Sequence, residues 1–246
     1  MWGVIPAAGK GSRIQPLAFS KELLPLSNQL ETGGRQPRAV SDYSIERLVR
    51  GGATRVCLVI SPSKSDILAY YGGEAYNTPI CYCVQPEPLG LCDAIFRSAP
   101  VIDANEPVMV SLPDTVWFPP DALRELPDDR LSFLLFPVEQ PQFFDAVLCD
   151  ENGRVQEIQV KSAQASSKWI WGAFKMPGAV FHELHRFWRA RRDEYIGTLV
   201  NAWLAEGGEA WGVRAGTSYL DVGAMEGYWA AMRFLAGQEI ESRSSL

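Results

Sequence analysis

The sequence predicts one α/β domain of the doubly wound kind, with a mostly parallel mixed sheet flanked by helices and a smaller β-rich part in its second half. Three observations carry that expectation. Apolar strand-like runs alternate with helical stretches as far as residue 140, the rhythm of a sheet whose crossovers are helices. The run RVCLVIS, residues 55–61, is apolar without alternation, as a strand buried on both faces must be. Beyond residue 143 the rhythm changes to a hairpin and then to helices, dividing the chain into halves of about 1–140 and 141–235.

The elements follow in order. Residues 2–6 form a brief apolar strand that runs into a loop of small residues. Residues 40–50 place Val40, Tyr43, Ile45, Leu48 and Val49 at helical spacing, and Gly51-Gly52 ends the helix. After the 55–61 strand come a short helix over 63–73 with its own glycine stop and a third strand over 80–85. Residues 90–100 read as a helix, 107–114 as a fourth strand and 130–138 as a fifth. Residues 143–161 read as a hairpin turning at Glu151-Asn152-Gly153, followed by a strand over 168–176. Helices are expected over 180–194, 196–208 and 227–240. His182 and His185 share a helix face with no acid or cysteine to complete a metal set, and are read as structural.

Composition excludes several function classes. Lys and Arg total 23 against 29 Asp and Glu, a net charge of −6, so the chain lacks the broad basic face that nucleic acid requires. A local cationic pocket for a small anion remains open. No basic segment precedes an apolar one at the N-terminus, and no window approaches the ~20 apolar residues that span a bilayer. A soluble, cytoplasmic protein is expected. The five cysteines show no zinc spacing and are read as buried reduced thiols, with Cys81 and Cys83 taken to point to opposite faces of their strand.

The stretch GVIPAAGKGSRIQPL, residues 3–17, and KELLPL, residues 21–26, hold the chemistry. Gly9 and Gly11 behind the first strand let backbone N–H groups turn toward a phosphate. Neither G-x-G-x-x-G nor the Walker pattern is matched, so the glycines alone say little. Arg13 and Lys21 close behind them change that. Two cations beside inward N–H groups are electrostatically wasteful without an anion among them.

The same stretch resembles the signature of the sugar-1-phosphate nucleotidyltransferases, nearest to the glucose-1-phosphate thymidylyltransferase type, with Ala8 and Ser12 as conservative departures. The resemblance runs from residue 1 to about residue 230 and implies the family's single-domain Rossmann-like fold with a sugar-binding second half. No C-terminal β-helix follows, so an added acyltransferase activity is not expected. The resemblance implies nucleotide contacts from Ala7, Ala8, Gly9, Gly11 and Ser12, and catalytic roles for Arg13 and Lys21. QPEPLGLCDAI, residues 85–95, is similar to the segment that meets the base. Gln85 would supply a donor and an acceptor, and Gly90 room for the base. Read without the motif, the two are a strand-end glutamine and a helix-start glycine.

Asp114 in SLPDTVW stands where the family shows G-D-N, and Asp221 in SYLDVG where it shows W-L-D-T-G. Two carboxylates brought together repel unless a cation bridges them, and hard oxygen ligands beside phosphate suit Mg2+. Lys161 matches the lysine of the family's E-K-P segment, Trp171-Gly172 a pair lining the sugar pocket, and Arg192 an arginine on phosphate. Lys161 and Arg192 also have plainer readings, as a hairpin end and a basic helix end. Two family glutamates that hold sugar hydroxyls fall, aligned by eye, on Leu148 and Ile196, which questions the usual hexose grip. The segment NQLETGGRQPR, residues 28–38, is longer than the family loop and is either a lid or an inert loop.

Together these imply transfer of a nucleotidyl group from a nucleoside triphosphate, dTTP or UTP, to a hexose 1-phosphate. The expected partners are those two small molecules, without nucleic acid or membrane and with a homo-oligomer open. Alternatives are a cytidylyl- or guanylyltransferase for another phosphate acceptor, and a non-catalytic nucleotide-sugar-binding regulator.

Overall fold

A computed structural model describes residues 1–27 and 38–244. The inserted segment expected to be a lid or an inert loop therefore lies, but for Arg38, outside the described residues. The first half contains β1 (Trp2–Pro6), β2 (Pro25–Ser27), β3 (Arg38–Ala39), α1 (Val40–Arg50), β4 (Arg55–Ile60) and α2 (Ser65–Tyr71). It continues through β5 (Glu74–Ala75), β6 (Thr78–Val84), α3 (Leu91–Phe96), β7 (Pro107–Ser111), β8 (Thr115–Phe118) and β9 (Leu131–Pro137). The second half adds β10 (Asp145–Cys149), β11 (Val155–Val160), β12 (Trp169–Pro177), α4 (Gly178–Arg191), α5 (Ile196–Ala205), β13 (Ala210–Val213), β14 (Ser218–Asp221) and α6 (Met225–Ser244).

The main sheet runs β11-β10-β12-β7-β1-β4-β6-β5, with β9 on β12 and β13 on β9. β1 pairs in parallel with β4 and β7, and β4 with β6. Strands of the second half continue the same sheet, because β12 lies antiparallel to β7. Alternation sends Val4, Cys57, Val59, Val108 and Val110 into one apolar cluster with residues of α3, α4 and α5. Ile5, Leu58, Ile60 and Met109 enter a second cluster with Ile45 and Leu48 of α1. Helices thus cover both faces of the parallel strands.

The chain runs from β1 to β4 to β6 in one direction and then returns to place β7 on the other side of β1. The strand order therefore reverses between β1 and β7. In open α/β sheets the loops at the carboxyl ends beside such a reversal frame the ligand crevice. Here those loops are the glycine loop after β1 and the turn after β7.

Three expectations are corrected. Asp114 is not in the fourth strand: β7 stops at Ser111, and Asp114 belongs to the turn before β8. The helix expected over 90–100 ends at Phe96, short of Pro100, whose ring disfavours helical backbone ahead of it. Cys81 and Cys83 share a face, since alternate strand residues do, and both pack in the same cluster as the buried Cys57 of β4. No helix among the described residues is long and apolar enough to cross a membrane.

Candidate active site

Asp114 and Asp221, distant in sequence, meet through a short ladder. β8 and β14 pair antiparallel with Asp221 opposite Thr115, and Val222 N–H donates to the Asp114 carbonyl at 2.8 Å. A Cβ built on Gly223 would stand 2.8 Å from Asp221 Oδ1, 3.2 Å from Asp114 Oδ2 and 2.6 Å from Arg13 Nη2. Both carboxylates and the arginine therefore converge on one spot, which glycine leaves open. The turn that carries Asp114 is fastened from α1. Ser44 Oγ donates to the Leu112 carbonyl, and the buried Arg47 donates through Nε to the Trp117 carbonyl at 2.8 Å.

Lys21 Nζ donates to Asp114 Oδ2, and Arg13 Nη1 lies 3.5 Å from Asp221 Oδ2. Burial works against the Lys21 ammonium, but the Asp114 carboxylate beside it prevails and holds it above its ordinary value. Burial likewise pushes Asp114 up, and Lys21 pulls it below the usual carboxylate range. Asp221 goes the other way. Burial, and then repulsion from Asp114, hold it above its ordinary value. Arg13 is 66% exposed, so its ion pair is weakly held and free to exchange for another anion.

Among the described residues none accepts a backbone hydrogen bond from the N–H groups of residues 8–13, whereas Ala7 N–H bonds the Val59 carbonyl at 2.7 Å. Gly9 and Ser12 are exposed. Gly11 has φ +65°, and a Cβ there would stand 2.7 Å from Lys21 Cδ. The loop thus requires glycine at that position to bring Lys21 close. Its donors are available to an incoming phosphate.

Two cavities flank the loop. One, of about 670 Å3, is lined by Ala8, Lys10, Ser20, Lys64 and Gln85 among others. The second, of about 240 Å3, is lined by Arg13, Asp114, Asp145, Lys161, Trp171, Tyr219 and Asp221 among others. Trp171 reaches it from a bulge in β12, whose register against β9 shifts between Trp171 and Ala173. Gly172 at that bulge leaves room for the Tyr219 ring, since a Cβ would come within 2.6 Å of it. Lys161 holds φ +43°, and its Nζ sits 4.8 Å from the centre of the Tyr195 ring.

The profile of the nucleotidyl transferase family matches residues 2–238. The chain belongs to that family. A UTP–glucose-1-phosphate uridylyltransferase of Haloferax volcanii is 27% identical over 92% of this chain and 93% of its own length. A glucose-1-phosphate thymidylyltransferase of Mycolicibacterium smegmatis is 26% identical over 100% of this chain and 85% of its own. A putative glucose-1-phosphate thymidylyltransferase from Bacillus anthracis, solved with sucrose, superposes with TM-score 0.79 at 20% identity, covering 95% of both chains. A UTP-bound UGPase from Acinetobacter baumannii superposes with TM-score 0.76 at 18% identity, covering 95% of this chain and 92% of its own.

In this nucleotidyl transferase several residues singled out in the sequence are already engaged within the protein. Gln85 Nε2 donates to the Gly90 carbonyl at 3.1 Å and to Asp93 Oδ2 at 2.9 Å, so it has an acceptor left for a base but no donor. The room expected beside Gly90 is filled by Glu194, whose Cγ lies 2.4 Å from a built Cβ. Arg192 caps α4 in the left-handed conformation with its guanidinium 4.7 Å from the Trp188 ring centre, and does not line the second cavity. Neither Leu148 nor Ile196 lines it either, Ile196 being buried in the core.

Sequence reasoning missed the supports of Lys21. Lys64 Nζ donates to the Ala7 carbonyl at 2.7 Å and to Glu22 Oε1 and Oε2 at 2.7 and 2.8 Å. Asp66 accepts from Ser20 N–H at 2.6 Å and from Ser20 Oγ at 2.7 Å. The residues on either side of Lys21 are thus pinned to the segment after β4. Lys64 and Glu22 lie 42 positions apart in the chain, so their pairing leaves no local pattern to read.

Proposed function

We propose that this nucleotidyl transferase moves a nucleotidyl group from a nucleoside triphosphate, dTTP or UTP, to a hexose 1-phosphate. An oxygen of the acceptor phosphate forms a bond to the α-phosphorus, the bond between that phosphorus and the bridging oxygen to the β-phosphate breaks, and pyrophosphate departs with the electron pair. The observation that carries the reading is the convergence of Arg13, Lys21, Asp114 and Asp221 beside the open N–H groups of the glycine loop, at the β1/β7 reversal. The relatives' names supply the class of nucleotide and acceptor.

The acceptor is already an anionic nucleophile, so the protein's work is to position two anions and to offset the charge that builds up on transfer. The loop N–H groups and the exposed Arg13 hold the triphosphate tail. Lys21, kept protonated by Asp114, faces the α-phosphate. Lys161 receives the acceptor phosphate in the cavity lined by Trp171 and Tyr219. The donor set fits Mg2+: two carboxylate oxygens converge on one point, and among the described residues no third His, Cys, Asp or Glu completes a protein-only cage. When bound, the ion supplies positive charge to the phosphates. Asp114 and Asp221 would hold it.

Purified protein incubated with each NTP, Mg2+ and a panel of sugar 1-phosphates is expected to release pyrophosphate with dTTP or UTP. Arg13→Ala should abolish that release while the melting temperature stays nearly unchanged, since Arg13 is largely exposed. Tight nucleotide binding with no pyrophosphate from any combination would overturn the reading in favour of a regulator.

A further inference from the structure

The cavity that takes the acceptor contains a carboxylate to which no role has been given. Asp145, first residue of β10, lines it between Phe144 and the Lys161 side. Its Oδ1 is buried with no hydrogen-bond partner, and its Oδ2 receives a long bond, 3.4 Å, from Trp171 Nε1. A carboxylate offers about four acceptor sites and is costly to leave unmet away from water. Burial holds this one above its ordinary value, with Trp171 and Lys161 pulling the other way. The position is also built to last. The ladder between β10 and β11 sets Asp145 opposite Val160, and Lys161 N–H donates to the Phe144 carbonyl at 3.1 Å, locking the two strand ends together.

We propose that Asp145 is the specificity-determining residue for the acceptor, receiving hydrogen bonds from a hydroxyl of the sugar ring. This rests on the transfer reading above and adds the group that reads the sugar. Position decides between a hydroxyl and an ammonium. Lys161 lines the same cavity and already pulls on the Asp145 carboxylate, so an ammonium there would face a second cation, whereas a hydroxyl adds no charge. The aromatic walls, Phe144, Trp171, Tyr195 and Tyr219, suit the apolar faces of a sugar ring. Neither Leu148 nor Ile196, where the family's hydroxyl-binding glutamates were expected, reaches this space. Asp145 takes over the task from a different strand position.

The test compares wild type with Asp145→Asn, a substitution of the same shape, in steady-state pyrophosphate release across the parent sugar 1-phosphate, its monodeoxy analogues and its amino analogues. Asp145→Asn should raise KM for the parent acceptor about 10- to 100-fold, the loss of a hydrogen bond to a charged group, with KM for the nucleotide unchanged and the melting temperature not lowered. One monodeoxy analogue should be rejected by wild type and tolerated by the variant as well as the parent is. Unchanged acceptor KM and unchanged discrimination in Asp145→Asn would overturn the proposal. So would a wild-type preference for an amino analogue that the variant loses. Should wild type release no pyrophosphate at all, the transfer reading falls by itself. Calorimetric binding of the same sugar 1-phosphates to wild type and Asp145→Asn then decides the role of Asp145 by the same pattern.

Discussion

Lys64→Met tests whether the buried pair behind the glycine loop holds Lys21 in place. Glu22 is completely buried and Lys64 nearly so, and the ammonium meets both Glu22 oxygens and the Ala7 carbonyl. Removing the ammonium leaves a carboxylate with no exposed surface and no counter-charge, a loss of about 3–5 kcal/mol. For a chain of this size each kcal/mol moves the melting temperature by about 2–4 °C, so a drop of roughly 6–20 °C is expected at pH 8. The pH dependence carries the sign. Burial already holds Glu22 above its ordinary 4.5, and loss of Lys64 raises it further. An acid whose folded pKa is raised takes up a proton on folding. Its penalty is therefore absent below the unfolded value, grows as pH rises through that value, and is complete above the folded one. The deficit of Lys64→Met relative to wild type should shrink as pH falls from 8 toward 5. Differential scanning calorimetry across that range reads it, beside the double variant Glu22→Gln/Lys64→Met, which removes both charges and should recover most of the loss. The reasoning fails if Lys64→Met melts within about 2 °C of wild type at pH 8, or if the double variant is no better than the single.

Two further variants separate the parts of the site. Asp221→Asn removes a carboxyl that burial and Asp114 hold above its ordinary value. It should raise the melting temperature by roughly 2–4 °C at pH 7, a gain that vanishes at low pH where Asp221 is protonated in wild type, while pyrophosphate release falls 100-fold or more. Gly172→Ala places a methyl within 2.6 Å of the Tyr219 ring and 2.7 Å of Phe136. It should cost about 1–3 kcal/mol in chemical denaturation and raise acceptor KM without changing nucleotide KM, because Tyr219 lines only the acceptor side.

Much of the molecule was legible in the residues themselves. The continuous apolar run of β4, the glycine stops of α1 and α2, and the hairpin turn at Gly153 are written in local preference, and local preference prevailed. The approach of Lys21 to the glycine loop was legible too, since Gly11, Arg13 and Lys21 lie within 11 residues and need only one short turn to meet. The β8–β14 ladder was not foreseen. Each strand has 4 residues, too short for a periodic signal, and they pair across 100 positions of chain. Gly90 has a second duty that no local pattern shows: its missing side chain admits Glu194, which packs against it from the end of the segment after α4.

The sequence by itself determined the class of fold, the cradle behind the first strand and the pair of acids worth watching. These depend on spacing, composition and motif, all local to the chain. Only the tertiary structure decided that Asp114 and Asp221 share one point with Arg13, that Lys64 and Glu22 brace Lys21, and that Asp145 rather than Leu148 or Ile196 lines the cavity beside Lys161. Such facts depend on which segments a sheet brings side by side and on how deeply each charge is buried. Coulomb forces and desolvation act through space, and separation along the chain carries no trace of either.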